Sequence, residues 1–297
     1  MKIFVTGATG FVGGHLVQRL LKDQHQVHIL TRPQTSFDQL ESCLDNVTVH
    51  THSGSTQNMI DIVKKANPDA VIHLASSVIV EHRSADIEDL IRSNVLLSTQ
   101  LLESMAVNDI RLFINVGTLW QHFNGEEYNP VNLYAATKQA FASLVRFYVE
   151  TAGLKVISLE LSDTYGPNDR RGKLFNLLGN LGLTGEKIEM SPGYQRFDPI
   201  YIDDVCDAFV IALKRLRLGR VKNNETYSVC SDASIELREV IDIYENEAGV
   251  KLNVHWGARP YRLREVMLPW SGGRTLPEWT PRVTLREGIN KLLQSDV

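Results

Sequence analysis

Cysteine is scarce: the 297 residues hold three, Cys43, Cys206 and Cys230, far apart and in no C-x-x-C spacing. An odd, scattered set excludes a disulfide framework and a thiolate zinc site and fits reduced thiols in a cytosolic compartment; no metal site is expected. Long apolar runs are missing as well, so nothing is long enough to cross a bilayer as a helix. The chain enters its first strand at once, which leaves no room for a cleavable secretory leader, and the expected location is cytoplasmic. Positive charge is not in excess either. The net charge is −4, so no bulk basic field points to nucleic acid. With 43% hydrophobic and 22% charged residues, the chain has the composition of an ordinary globular protein.

Glycine, by contrast, is placed with care at the N-terminus. The apolar run Ile3–Val5 shows no polar alternation and reads as a buried parallel strand. Gly7, Gly10 and Gly13 follow, and then an amphipathic helix with Leu16, Leu20 and Leu21 along one face. A dinucleotide needs that order, because a side chain on the turn would hold the pyrophosphate away from the backbone N–H groups at the helix's positive end. The same three glycines also suit a bare turn that binds nothing; strand, glycines and helix in register favour the nucleotide. Gly7, Thr9, Gly10, Phe11 and Val12 are the expected cofactor contacts.

Val27–Leu30 reads as the second strand, ending in Thr31 and Arg32. An NAD-preferring site has an acidic residue there, whereas a guanidinium pairs with a 2′-phosphate, so Arg32 points to NADP(H) over a merely solvated arginine. Further strands are expected at Val47–Val49, Ala70–Ser76 and Leu112–Val116, alternating with helices at Ile60–Ala66 and Asp86–Met105. The alternation predicts an α/β fold, a doubly wound parallel sheet of Rossmann type. Ligands of such sheets bind beyond the strand ends, where Leu74, Ala75 and Ser76 let a cofactor approach and Thr118 presents a hydroxyl. His73, inside its strand, reads as a satisfied core group.

Tyr134 and Lys138 open a helix running to about Thr151 and share one face. A neighbouring cation favours phenolate, which would make Tyr134 a general acid for a carbonyl or a general base for an alcohol.

Together, TGATGFVGG (Thr6–Gly14), His73–Ser76, Asn94, Thr118 and Tyr134-Ala-Ala-Thr-Lys138 resemble the extended short-chain dehydrogenase/reductases, the superfamily of nucleotide-sugar epimerases, dehydratases and ketoreductases. The likeness runs through Asp163–Pro167, Tyr201–Val205 and Trp279–Pro281. It implies catalytic roles for Thr118, Tyr134 and Lys138: proton transfer at the sugar oxygen by the tyrosine, a hydrogen bond to that oxygen from the threonine, and a lysine that holds the nicotinamide ribose and tunes the phenol. Dehydratases of this kind carry an Asp-Glu pair after the catalytic threonine, where this chain has Leu119 and Trp120. Epimerases hold NAD, against which Arg32 speaks; C3/C5 epimerases add an acid–base pair, for which His122, Glu126 and Glu127 are candidates unless they are simply solvated. Leu119–Phe141 and Asp163–Leu178 are similar to CDP-abequose synthase-like 4-ketoreductases, which make dideoxyhexoses for bacterial surface polysaccharide.

The resemblance thus implies an NADPH-dependent reductase of a CDP- or dTDP-linked 4-keto sugar. The alternatives are an NAD(P)-dependent epimerase and, from another class, a non-catalytic dinucleotide sensor on the same fold. Residues 1–160 are expected to form the NADP-binding domain and 161–297 mainly the nucleotide-sugar domain, with segments returning to the first. Lys173, Arg196 and Arg262 are diphosphate candidates or surface charges; Trp120 stacks on base or sugar, or packs the lid of the site. Asp203 and Asp204 are expected to cap the helix Val205–Leu213. A homodimer through the Asp86–Met105 and Tyr134–Thr151 helices is implied by the resemblance, although their apolar faces also suit an internal core.

Overall fold

The apolar run at the N-terminus becomes the middle of a sheet. In a computed structural model describing residues 1–295, β1 (Lys2–Thr6) has Ile3, Phe4 and Val5 fully buried. A strand covered on both faces has no solvent side, which is why its sequence does not alternate. Helix α1 (Phe11–Lys22) returns the chain to β2 (Gln26–Thr31), and β3 (Val47–Thr51) pairs beyond it. Helix α2 (Thr56–Ala66), capped by the Ser55 hydroxyl accepting from the Asn58 amide, leads to β4 (Ala70–His73) on the other side of β1. The strand expected to reach Ser76 stops at His73, because the chain there turns towards Gly7 and Asn94.

The helix expected over Asp86–Met105 is α3 (Ile87–Ile91) and α4 (Leu97–Val107), joined through a π turn at Arg92–Leu96. Strand β5 (Leu112–Thr118), helix α5 (Leu133–Ala152) and strand β6 (Lys155–Leu161) follow. Next come β7 (Asp163–Tyr165), α6 (Leu174–Thr184), β8 (Ile188–Glu189), β9 (Arg196–Phe197) and β10 (Pro199–Tyr201). Helix α7 (Ile202–Arg217) recrosses the sheet to β11 (Asn224–Val229), and β12 (Ile235–Glu236), α8 (Leu237–Ala248), β13 (Val254–His255) and α9 (Leu285–Ser295) complete the order.

The main sheet runs β11-β6-β5-β4-β1-β2-β3, parallel throughout. One face packs on α1 and α7 through Leu16, Leu20, Val205 and Phe209; the other packs on α2, α4 and α5 through Met59, Val63, Leu101, Phe141 and Val145. A third core, with Leu178, Leu181, Tyr244 and Ile289, joins α6, α8 and α9 beyond the strand ends. Strand order reverses at β1/β4, so the crevice opens there. Among the described residues no helix is long and apolar enough to cross a membrane.

One expectation is corrected. Tyr201 takes the N-cap position of α7, and no side chain caps the helix. Asp203 and Asp204 lie inside the first turn, where their charge still complements the dipole. The Asp204 carboxylate is turned away, accepting the Val283 amide at 2.9 Å and tying the C-terminal segment to the helix.

Candidate active site

The glycine turn is built for close approach. Gly7 has φ +71°, and a Cβ on it would lie 2.5 Å from the Ala75 nitrogen; a Cβ on Gly13 would lie 2.1 Å from the Gly7 oxygen. Gly10 is the N-cap of α1 without a side-chain cap, so the first-turn amides and the positive helix end serve the crevice. That cradle fits a dinucleotide pyrophosphate. Gly7, Gly10, Phe11, Val12, Leu74 and Ser76 line a cleft of about 1480 Å³. Thr9 and Ala75 lie in the glycine turn and just past β4, off the lining, and the Ala75 amide donates to Thr6 Oγ1 at 3.2 Å. Arg32 is exposed just past β2 and off the cleft wall, its amide donating to Thr35 Oγ1 at 3.1 Å.

His73 is the core group it was expected to be. Fully buried, it bonds Thr6 Oγ1 through Nδ1 at 2.7 Å and Ser98 Oγ through Nε2 at 2.8 Å. Burial, with Lys138 nearby, pushes its pKa down to about 3.

Thr118 ends β5 with its amide donating to Gln121 Oε1 at 3.1 Å, while Gln121 Nε2 donates to Gln139 Oε1 at 2.7 Å. Its own Oγ1 accepts the Trp120 amide at 3.3 Å, leaving the hydroxyl hydrogen free to point at a ligand. Helix α5 starts at the Asn132 cap, whose Oδ1 accepts the Ala135 amide at 2.9 Å, and its first turns bring Tyr134 and Lys138 to the cleft wall beside Thr118, all three buried. Trp120 stands edge-on to Tyr134, with centroids 6.4 Å apart, and Lys173 Nζ lies 5.3 Å from the Trp120 centroid.

Burial pushes Tyr134 up to about 12, and the charge opposing it is Arg171; Lys138 is pushed down to about 8 by burial. Helical spacing assigned the tuning to Lys138. The charge that opposes the rise, Arg171, arrives from the loop after β7, a position no local pattern marks. Arg171 is fixed there by both Asp169 oxygens at 2.7 Å and the Thr164 carbonyl at 2.8 Å, and lies 4.4 Å above the Phe11 ring.

Lys173, Arg196 and Arg262 all line the cleft. Arg196 is already engaged, donating to Ser234 Oγ at 3.2 Å and to the Ser234 carbonyl; Arg262 Nε lies 3.5 Å from Glu265. Arg259 and Arg264 join them, unmarked by any motif. The half-buried Asp163 carboxyl, also on the cleft lining, is pushed up by desolvation against the pull of Lys173. Of the acid–base candidates near the loop, His122 lines the cleft, whereas Glu126 and Glu127 are exposed and off its wall.

The profile of the NAD dependent epimerase/dehydratase family matches residues 3–230. The chain belongs to that family. Family membership bears out the expected resemblance and makes the protein a nicotinamide-dinucleotide enzyme of the epimerase, dehydratase and reductase group. Two curated relatives named CDP-abequose synthase are similar over nearly their whole length. That of Salmonella muenchen is 29% identical, covering 98% of this chain and 97% of the relative. That of Yersinia pseudotuberculosis is 26% identical, covering 91% and 92%. Among solved structures, UDP-glucose 4-epimerase of Thermotoga maritima with UDP-glucose superposes with a TM-score of 0.87 at 21% identity, covering 100% of this chain and 98% of that one. The UDP-glucose 4-epimerase of Thermus thermophilus, complexed with NAD, gives 0.81 at 23% identity, covering 99% and 98%. At these identities the two structures establish the shared Rossmann-type fold of the family.

Proposed function

We propose that this family member reduces the 4-keto group of a nucleotide-diphosphate 6-deoxy or 3,6-dideoxy hexose, CDP- or dTDP-linked, with NADPH as donor. The observation that carries the reading is the wall beside Thr118. Tyr134 and Lys138 line the same cleft as the threonine, and Leu119 and Trp120 fill the positions where a dehydration would need carboxylates. The CDP-abequose synthases it resembles support the substrate class. Arg32 supports NADPH, because a guanidinium suits a 2′-phosphate and a carboxylate there would repel it.

Bound NADPH supplies the hydride. Burial keeps Tyr134 a neutral phenol around neutral pH, the form that can give a proton to the sugar O4. The Thr118 hydroxyl donates to the same oxygen, stabilising charge as it develops. Lys138 and Arg171 add positive charge that eases departure of the phenolic proton. Lys173 and Arg262 face the cleft as donors for the diphosphate.

The test is NADPH absorbance decay with CDP-, dTDP- and GDP-linked 4-keto-6-deoxy sugars, with NADH as control. Substrate-dependent decay with NADPH is expected. Sugar isomerisation without net cofactor loss would replace the reductase with an epimerase, and dinucleotide binding with neither signal would leave a sensor.

A further inference from the structure

His122 stands on the cleft wall just past Thr118, and its ring meets acceptors on both sides. Nε2 lies 3.1 Å from Glu160 Oε2 and Nδ1 lies 3.2 Å from the Glu126 carbonyl oxygen. An ionised carboxylate and a carbonyl only accept, so both ring nitrogens carry hydrogen and the ring is an imidazolium. The pair is nearly sealed from water, with side chains 9% and 11% exposed. Gly117 makes the space, since a Cβ there would come within 2.8 Å of Glu160 Cγ. The charged groups around the ring are Glu160 on β6, Glu126 and Glu127 on its own loop, and Arg264, which bonds Asn129 on that loop and lies 4.2 Å over Phe123. Burial opposes the charge, but Glu160 and the two carbonyls outweigh it, and the pKa is raised.

Trp270 stacks on this ring, with centroids 4.6 Å apart and planes at 16°. The chain folds back on the indole, where a Cβ on Gly272 would lie 2.4 Å from the ring, and then bonds β11 through the Arg274 carbonyl and the Ser228 amide at 2.9 Å. Upstream, residues 259–269 form neither helix nor strand, yet bring Arg259, Arg262 and Arg264 to the cleft. Leu263 at their centre is 100% exposed, so no apolar packing holds the tip. Among the described residues, two backbone–backbone bonds tie the segment to the rest of the fold, Arg259 N to Met190 O at 3.2 Å and Arg196 N to Met267 O at 3.0 Å, and the Tyr194 amide donates to Tyr261 Oη at 3.1 Å.

We infer that His122, as an imidazolium, is a positioning residue that pins Trp270 and, through it, the cationic segment 259–269 over the cleft. With both nitrogens bonded to acceptors it has no lone pair to act as a base towards substrate, and its protons point at Glu160 and the Glu126 carbonyl. A raised pKa means the charge is present at low pH and lost as pH rises through the folded value; the pin therefore releases on the alkaline side. Its consequence for sugar affinity rests on the function proposed above, whereas the pinning does not.

The experiment uses the full chain and needs no ligand. Tryptophan emission of the wild type is expected to rise along a titration with midpoint above 6.5 as the quenching imidazolium is neutralised. That titration should vanish in both His122→Asn and Trp270→Phe. Trypsin should cut after Arg262 and Arg264 about tenfold faster in His122→Asn and Glu160→Gln than in wild type. In the wild type, the same sites should open, relative to other sites, as pH rises through the His122 titration, which lies above the ordinary histidine range. The last comparison needs no variant to fold. An unchanged emission titration in either variant, or wild-type cutting at those sites that is insensitive to pH, overturns the inference. With a CDP-linked 4-keto sugar, release should read as a raised KM at unchanged kcat. A wild type that turns over no such sugar overturns the proposed function, while emission and proteolysis still judge the pin.

Discussion

Asn94 donates through Nδ2 to Thr137 Oγ1 at 2.9 Å, and Thr137 Oγ1 in turn donates to the Tyr134 carbonyl at 2.7 Å. Asn94 also accepts from the Ser76 hydroxyl at 3.0 Å and the Ser77 amide at 2.7 Å, and donates to the Ser77 carbonyl at 2.9 Å. One side chain thus ties the end of β4, which lines the cofactor side, to the turn of α5 that carries Tyr134 and Lys138. It can do so because it sits in the π turn, where an extra residue re-aims a helical side chain. Asn94→Ala should leave buried partners unsatisfied and cost about 3 kcal/mol in urea unfolding.

Tyr134→Phe removes the proton donor and leaves the ring in place against Trp120. Turnover of a 4-keto sugar should fall by about 10²–10⁴-fold, with dinucleotide affinity retained by calorimetry. Near-full turnover would end the proposed mechanism.

Arg32→Asp should weaken NADPH binding by about 10–100-fold and NADH binding far less, since only NADPH carries the phosphate that a carboxylate repels. Equal effects on both would place Arg32 outside cofactor choice.

His73 carries a stability prediction. Its folded pKa of about 3 lies below the ordinary 6.5, so between these values the unfolded chain binds a proton that the folded chain refuses. Stability then rises with pH across that window and is lost on acidification, by up to about 1.4 kcal/mol per pH unit from this group. Urea midpoints between about pH 6.5 and about pH 4.5 should show a shallower slope in His73→Asn than in wild type.

Local pattern carried much of the fold. The strand at Ile3–Val5, the glycine turn and the one-turn spacing of Tyr134 and Lys138 each lie within a few residues of chain, where the periods of strand and helix translate directly into position. Where the pattern misled, a tertiary demand had intervened. Asp204 carries the composition of a helix start but binds the Val283 amide, and one apolar-periodic helix contains a π turn at Asn94.

By itself the sequence determined the doubly wound sheet and the cradle at Gly7, Gly10 and Gly13, because those features are written in the order of neighbouring residues. Only the tertiary structure decided which charges meet. Arg171 lies where its charge bears on Tyr134, Glu160 meets His122 under Trp270, and Arg259 and Arg264 join the cleft. The physical reason is the same in each case: such pairs are far apart in the chain and have no period, so they come together only when sheet, loops and C-terminal segment pack.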